Sequence, residues 1–219
     1  MNLLKTTLIT LAVASVTALG HAQEVKGDAI AGQKKNAMCI GCHGLPGYQS
    51  SFPEIYKVPK ISGQGAKYIV ASLNAYKQGE RKHPTMRAIA ESMTGQDMAD
   101  VAAFYEEHGK NGAKAGQSSA KASPKVAELI SKAACLSCHG ENFAKPIDPS
   151  FPKVAGQHAD YLYVALKAYK TENNSKVGRS NGVMAGVAKQ FSNAELKAIA
   201  NYIATLDGDL KTIPENRFR

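Results

Sequence analysis

Cys39-Ile40-Gly41-Cys42-His43 and Cys135-Leu136-Ser137-Cys138-His139 contain all four cysteines of the chain. C-x-x-C-H is the spacing that attaches a c-type haem. Two thiols add across the haem vinyl groups as thioethers, and the next residue turns an imidazole nitrogen onto the iron. The two-residue spacer lets both sulfurs reach one side of a porphyrin and leaves the histidine beneath the metal. Cys39, Cys42, Cys135 and Cys138 are therefore expected to bind two covalent haems, with His43 and His139 as iron ligands. Other uses of four cysteines explain less. Zinc sites built from paired C-x-x-C runs come with zinc-ribbon hairpins and turns, which the sequence lacks. A thioredoxin-type redox pair needs a strand-loop-helix setting, and strand signals are weak everywhere. Two disulfides would suit an exported protein but leave the two histidines without a role.

The haem motifs belong to a longer internal repeat. Ile61-Ser62-Gly63-Gln64-Gly65-Ala66-Lys67-Tyr68-Ile69 matches Val154-Ala155-Gly156-Gln157-His158-Ala159-Asp160-Tyr161-Leu162, and both continue to Ala-Tyr-Lys, ending at Lys77 and Lys170. Further on, Met86 to Phe104 aligns with Met184 to Tyr202. The order of the pieces is kept and their spacing shifts slightly, as a duplication with loop insertions would give.

That repeat bears on the sixth iron position, which decides whether a haem passes electrons or reacts with small molecules. Met184 is the only methionine of the second half, and it aligns with Met86. Met93 aligns with Phe191 and Met98 with Leu196, which marks both as core side chains; Met38, inside the first motif helix, also reads as packing. Met86 and Met184 are the expected sixth ligands. His83, three residues before Met86 and aligned with Asn181, remains a competitor. Pro59 and Pro152 precede the Gly-Gln runs, either as loop punctuation or as carbonyls that fix the tautomer of the iron-binding histidines.

These residues must be positioned by helices. Residues 26–42 and 124–138 should each be a helix running into a haem motif, the second capped by Ser123 with Pro124 at its first position. Tyr68 to Lys77 and Tyr161 to Lys170 form mid-domain helices. Ser192-Asn193-Ala194-Glu195 is a capping box, followed by Leu196, Ile199, Ala200, Ile203 and Leu206 on one face. Thr94-Gly95-Gln96-Asp97 opens the equivalent helix of the first half, with Met98, Val101, Ala102 and Tyr105 inward. The expected fold is all-α, with a domain at 23–108, a Gly/Ala/Ser/Lys-rich linker at 109–123 and a second domain with a short tail at 124–219.

The N-terminus points to export. A short, weakly basic start precedes an apolar stretch from Thr6 to Leu19 and small residues at Gly20-His21-Ala22, so residues 1–22 read as a signal peptide. Some 14 apolar residues are too few to span a bilayer, and no other stretch is apolar enough, so the mature chain is expected in the periplasm without a transmembrane segment, in solution or loosely held at the membrane surface. Each domain is small for a protein core alone, and a buried haem would add apolar volume and a covalent staple. The formal charge is +9, unevenly spread. Residues 23–108 carry 10 basic and 9 acidic groups, 109–123 carry 3 lysines, and 124–219 carry 13 basic and 9 acidic groups. An exported chain has little access to nucleic acid, and no nucleic-acid motif is present. The surplus suits a solvated surface or docking to an acidic partner.

The tandem C-x-x-C-H-Gly motifs, the run Phe151-Pro152-Lys153-Val154-Ala155-Gly156-Gln157 and a late methionine before a closing amphipathic helix together resemble the dihaem cytochrome c4 family. The resemblance covers nearly all of the mature chain. It implies two class I cytochrome c domains with haem propionates near one another, and His43–Met86 and His139–Met184 as axial pairs. It implies an electron carrier rather than an enzyme, passing single electrons from a quinol-oxidising complex towards a terminal oxidase, with membrane-bound respiratory complexes as partners. The first half has a longer run, Phe52 to Ile61, which leaves open which proline backs His43. The alternative is an enzyme-linked role, as a small dihaem peroxidase or the haem subunit of a periplasmic dehydrogenase. A peroxidase needs an open iron position beside an acid/base group, which two methionine-capped irons would not provide.

Overall fold

A computed structural model describes residues 25–110 and 121–215. The expected signal peptide lies outside the described residues, as does most of the linker. In the first half, Asp28 opens α1 (Ala29–Lys35), its carboxylate accepting from the N–H groups of Ile30 and Ala31. Then follow α2 (Ala37–His43), a small hairpin of β1 (Gln49–Ser50) and β2 (Tyr56–Lys57), and α3 (Ala66–Lys77). The half closes with β3 (Arg81–Lys82), α4 (Pro84–Glu91) and α5 (Gly95–His108). The second half repeats the plan as α6 (Pro124–Lys132), α7 (Leu136–His139), a 3-10 turn at Glu141–Phe143, α8 (Ala159–Lys170), β4 (Gly178–Arg179), α9 (Gly182–Lys189) and α10 (Asn193–Thr205).

Local chemistry explains the closing helices. Thr94 with Asp97, and Ser192 with Glu195, each form a complete capping box, side chain to backbone in both directions. Such caps contribute about 1 kcal/mol each. The inward faces are the expected ones: Met98, Val101, Ala102 and Tyr105 in α5, and Leu196, Ile199, Ala200, Ile203 and Leu206 in and just after α10, are all buried. Met93 and Phe191 are buried at matching places. Two separate cores result, one per half. In the first, α1 lies directly across α5, and Gly32 permits the approach, because a Cβ there would stand 2.0 Å from the Asp100 carbonyl oxygen.

Three expectations need correction. The helix over 26–42 is two helices, with a break at Asn36, whose side chain is fully buried and reaches the Glu215 carboxylate. The helix over 124–138 also ends early, because Ala134 adopts φ +47 and turns the chain before α7. Met38 does not pack; it is 54% exposed on α2.

The halves meet through their repeated Gly-Gln runs. The Gln157 amide accepts from the Lys60 N–H at 3.0 Å and donates to the Lys60 carbonyl at 2.9 Å. The Gln64 amide does the same to Lys153, at 3.0 and 2.9 Å. The two lysine ammoniums reach back to the carbonyls of Gly156 and Gly63. At the far end of this seam, β3 and β4 pair antiparallel, setting Arg81 opposite Arg179. Lys57 adds an ion pair to Asp160 across the same boundary.

Candidate haem sites

Each C-x-x-C-H run ends a helix and sets its histidine against a proline carbonyl. In the first half, the Nδ1–H of His43 donates to the carbonyl of Pro59 at 2.8 Å. In the second, His139 donates through Nδ1 to Pro152 at 3.0 Å. The proline left undecided by the sequence is therefore Pro59. An Nδ1–H donor leaves the Nε2 lone pair available, and among the described residues no hydrogen bond engages Nε2 of either ring. Burial pushes both imidazoles below the usual histidine range, outweighing the proline carbonyls, which favour the charged ring. Both rings are neutral near pH 7, the form that ligates a metal.

All four cysteines are partly accessible. Cys39 rests on the first core and Cys135 on the second, and burial raises the Cys135 thiol above its ordinary range. One sulfur of each motif thus meets apolar side chains, where the edge of a porphyrin would lie in a continuous apolar setting.

Met86 and Met184 occupy the third residue of α4 and of α9. Their N–H groups are held by the residues that cap those helices: Met86 donates to Nδ1 of His83 at 3.3 Å, and Met184 to Oδ1 of Asn181 at 3.0 Å. His83 is thus the helix cap that Asn181 is in the other half, which explains why the two align. Burial pushes the His83 imidazole below the usual histidine range, against the Phe52 backbone, which favours the charged ring. Met86 also touches the first core, and Met184 is half-buried.

The charges near the seam also suit a haem. Arg81 donates to the Tyr68 hydroxyl at 3.0 Å and lies over the rings of Tyr68 and Tyr76. Arg179 repeats this with the Tyr161 hydroxyl at 3.1 Å and the rings of Tyr161 and Tyr169. Among the described residues, neither guanidinium has a carboxylate within ion-pair distance. Two like charges on paired strands, with only phenol partners, are costly to bury without a counter-anion. Haem propionates have the required sign. Burial holds the Tyr76 hydroxyl up at about 12, so it stays neutral beside these cations. The residues present fit the group in both halves.

Sequence reasoning singled out the cysteines, histidines and methionines and passed over the two Arg–Tyr clusters. Part of their signal was present in the repeat: Tyr68 and Tyr76 recur at the same spacing as Tyr161 and Tyr169, whereas the arginines follow at different distances, as Arg81 and Arg179.

Comparison with known proteins agrees with this geometry. The cytochrome c family matches twice, over residues 25–107 and 123–207. Cytochrome c4 of Pseudomonas aeruginosa PAO1 is 32% identical over 212 residues, covering 94% of this chain and 98% of its own. The crystal structure of reduced recombinant cytochrome c4 from Pseudomonas stutzeri superposes with a TM-score of 0.61 at 29% identity, covering 82% of this chain and 99% of that one. A thiosulfate dehydrogenase electron acceptor of Thiomonas intermedia K12 is 27% identical, covering 77% of this chain and 78% of its own. Two cytochrome c domains, each with a C-x-x-C-H run, imply two c-type haems in an electron-transfer protein. The chain belongs to the dihaem cytochrome c4 family.

Proposed function

We propose that the protein is a periplasmic carrier of single electrons between membrane-bound respiratory complexes, from a quinol-oxidising complex towards a terminal oxidase. Residues 1–22 are an export signal in this reading, and 23–108 and 124–219 are the two domains joined by 109–123. Cys39 and Cys42 hold one haem and Cys135 and Cys138 the other, as thioethers. His43 with Met86 and His139 with Met184 are the axial pairs. Bound haem iron supplies the one-electron chemistry by changing between its ferrous and ferric forms.

The observation that carries this reading is the repetition of one arrangement. Each half has a neutral imidazole held through Nδ1 to a proline carbonyl, and a methionine at the third residue of a capped helix. The proline carbonyl holds the imidazole in one tautomer and one orientation. A methionine thioether is a soft ligand that favours ferrous iron and raises the potential. His83 is the side chain that competes for an acid/base role, and its Nδ1 is already committed to capping α4. These features favour a carrier over a peroxidase.

A second reading has one supporting observation, the likeness to a thiosulfate dehydrogenase electron acceptor. In that role the protein would take electrons from a periplasmic dehydrogenase. An anaerobic redox titration followed in the visible region should show two haems per chain and a weak sulfur-to-iron band for each. Carbon monoxide should bind slowly to the reduced protein at neutral pH; rapid binding would reject the carrier reading. Stopped-flow mixing of the reduced protein with oxidase-containing membranes, and of the oxidised protein with a dehydrogenase, separates the two carrier roles.

A further inference from the structure

Gln64 and Gln157 mark the repeat, yet the proposed haem ligation gives them no part. Both are 4% exposed, and each is paired with the backbone of the opposite half. The peptide group they meet is the informative detail. The carbonyl of the Pro59–Lys60 peptide accepts from His43 at 2.8 Å, and the N–H of the same peptide donates to Oε1 of Gln157 at 3.0 Å. The Pro152–Lys153 peptide repeats this, accepting from His139 and donating to Oε1 of Gln64, each at 3.0 Å. One planar peptide therefore stands between each imidazole and the glutamine of the other domain.

The amide orientations follow from the partners. Each lysine offers one N–H and one carbonyl, so the glutamine oxygen must face the first and its nitrogen the second. Each Oε1 also accepts from the N–H of the following residue, Gly65 or His158, which fixes the side chain against its own backbone. The preceding glycines set the approach. Gly63 and Gly156 have φ of +89 and +70, and a Cβ at Gly63 would stand 2.4 Å from the Asp209 carbonyl oxygen. The run Gly-Gln is thus a device for carrying an amide into the opposite half.

We infer that Gln64 and Gln157 are positioning residues that tune the haems in a crossed manner: Gln64 of the first domain acts on His139, and Gln157 of the second acts on His43. This rests on the reading of those histidines as iron ligands. A peptide whose N–H donates is polarised towards its oxygen and becomes a better acceptor, by roughly 10–30% per bond in a chain of hydrogen bonds. A stronger pull on Nδ1–H makes the imidazole more electron-rich, and an electron-rich ligand favours ferric iron. Each glutamine therefore lowers the potential of the haem it does not share a domain with. Undocking the domains removes both effects together, so the potentials report on the closure of the seam.

The test uses the full holoprotein and single substitutions. Gln64→Leu should raise the potential of the second-domain haem by a two- to tenfold change in its reduction equilibrium, the upper end being about 59 mV for one electron. The first-domain haem should stay where it is. Gln157→Leu should do the reverse. Gln64→Glu keeps an acceptor for the Lys153 N–H and adds negative charge, so it should lower the second-domain potential. Each haem is followed by its own methyl resonances in an NMR-monitored titration. In the ferrous protein the Nδ1–H resonance of His139 should move upfield in Gln64→Leu and remain in place in Gln157→Leu. A shift confined to the haem of the substituted domain, equal shifts in both haems, no shift, or the same sign from Gln64→Leu and Gln64→Glu would each overturn the inference. Methionine methyl signals that shift with the iron in every variant show that the axial ligands are retained. Their absence from the unsubstituted protein would instead reject the ligand assignment beneath the inference.

Discussion

At the scale of single residues, the sixth ligand is the sharpest question, and the duplication is what makes it answerable. Met86 and Met184 share a helical position, whereas Met93 and Met98 lie buried in the first core. Replacing Met86 or Met184 by Ala should remove the sulfur-to-iron band from half of the haem and lower that haem's potential, because a soft ligand to ferrous iron is lost. Met93→Leu should leave the visible spectrum unchanged, as a volume-conserving core substitution. Loss of the band in Met93→Leu would show that the alignment of the halves is wrong. The competing His83 could be placed only by the structure. Its alignment with Asn181 was visible in the sequence, but histidine is an unusual helix cap, so the pairing did not translate into a role. Gln64 and Gln157 were equally visible as a repeat and equally silent. A side chain that satisfies the backbone of another domain leaves no periodic trace in its own segment.

At the scale of elements, caps and buried faces were legible and the joints were not. Ser192-x-x-Glu195 and Thr94-x-x-Asp97 are local chemistry, so the starts of α10 and α5 follow from four residues each. The breaks at Asn36 and Ala134 answer tertiary demands. Alanine is a strong helix former, and nothing local to Ala134 announces φ +47. The seam between α1 and α5 shows how such demands are met. Asp100 is almost fully buried there and accepts from the Asp28 N–H at 2.9 Å, the Gln96 amide at 2.7 Å and the Lys35 ammonium at 2.7 Å. Burial pushes its carboxyl up, but Lys35 and these donors together hold it below the ordinary aspartate range. A group depressed in the folded state stabilises above its unfolded pKa and loses that stabilisation as pH falls through the folded value. Asp100→Asn should therefore lower the unfolding free energy read from urea denaturation at pH 7, by about 1–3 kcal/mol for the donors left poorly matched. The gap to the unsubstituted protein should begin to close below about pH 4 and vanish at lower pH. A gap constant from pH 7 to pH 2 would mean that shape, not charge, accounts for the loss.

At the scale of the whole molecule, the two halves form one body rather than beads on a linker. Reciprocal glutamine pairing, the β3–β4 ladder, the Lys57–Asp160 ion pair and a contact between Lys167 and Glu54 all cross the seam. Reduction of one haem by a pulse should accordingly be followed by redistribution to the other at a rate independent of protein concentration. A rate that scales with concentration would place the transfer between molecules. Two domains and the charge imbalance were readable from the sequence, but which lysines are free to meet a partner was not. Lys167 and Lys170, natural choices by position, are engaged with Glu54 and with the Phe191 carbonyl, and Lys35 is held by Asp97 and Asp100. Lys176 and Lys197 of the second half, and Lys26 and Lys34 of the first, are exposed. The linker and second half hold a surplus of seven positive charges against one in the first domain. Haem propionates, two in each half, reduce the total without favouring either end, so the dipole survives. Attraction of this kind speeds encounter with an acidic partner and is screened beyond about 8 Å at physiological ionic strength. Electron transfer to such a partner should slow as salt rises, and charge reversal at Lys176 and Lys197 should slow it more than reversal at Lys26 and Lys34. A rate flat across salt, or equal losses from the two double variants, would instead assign docking to apolar contacts.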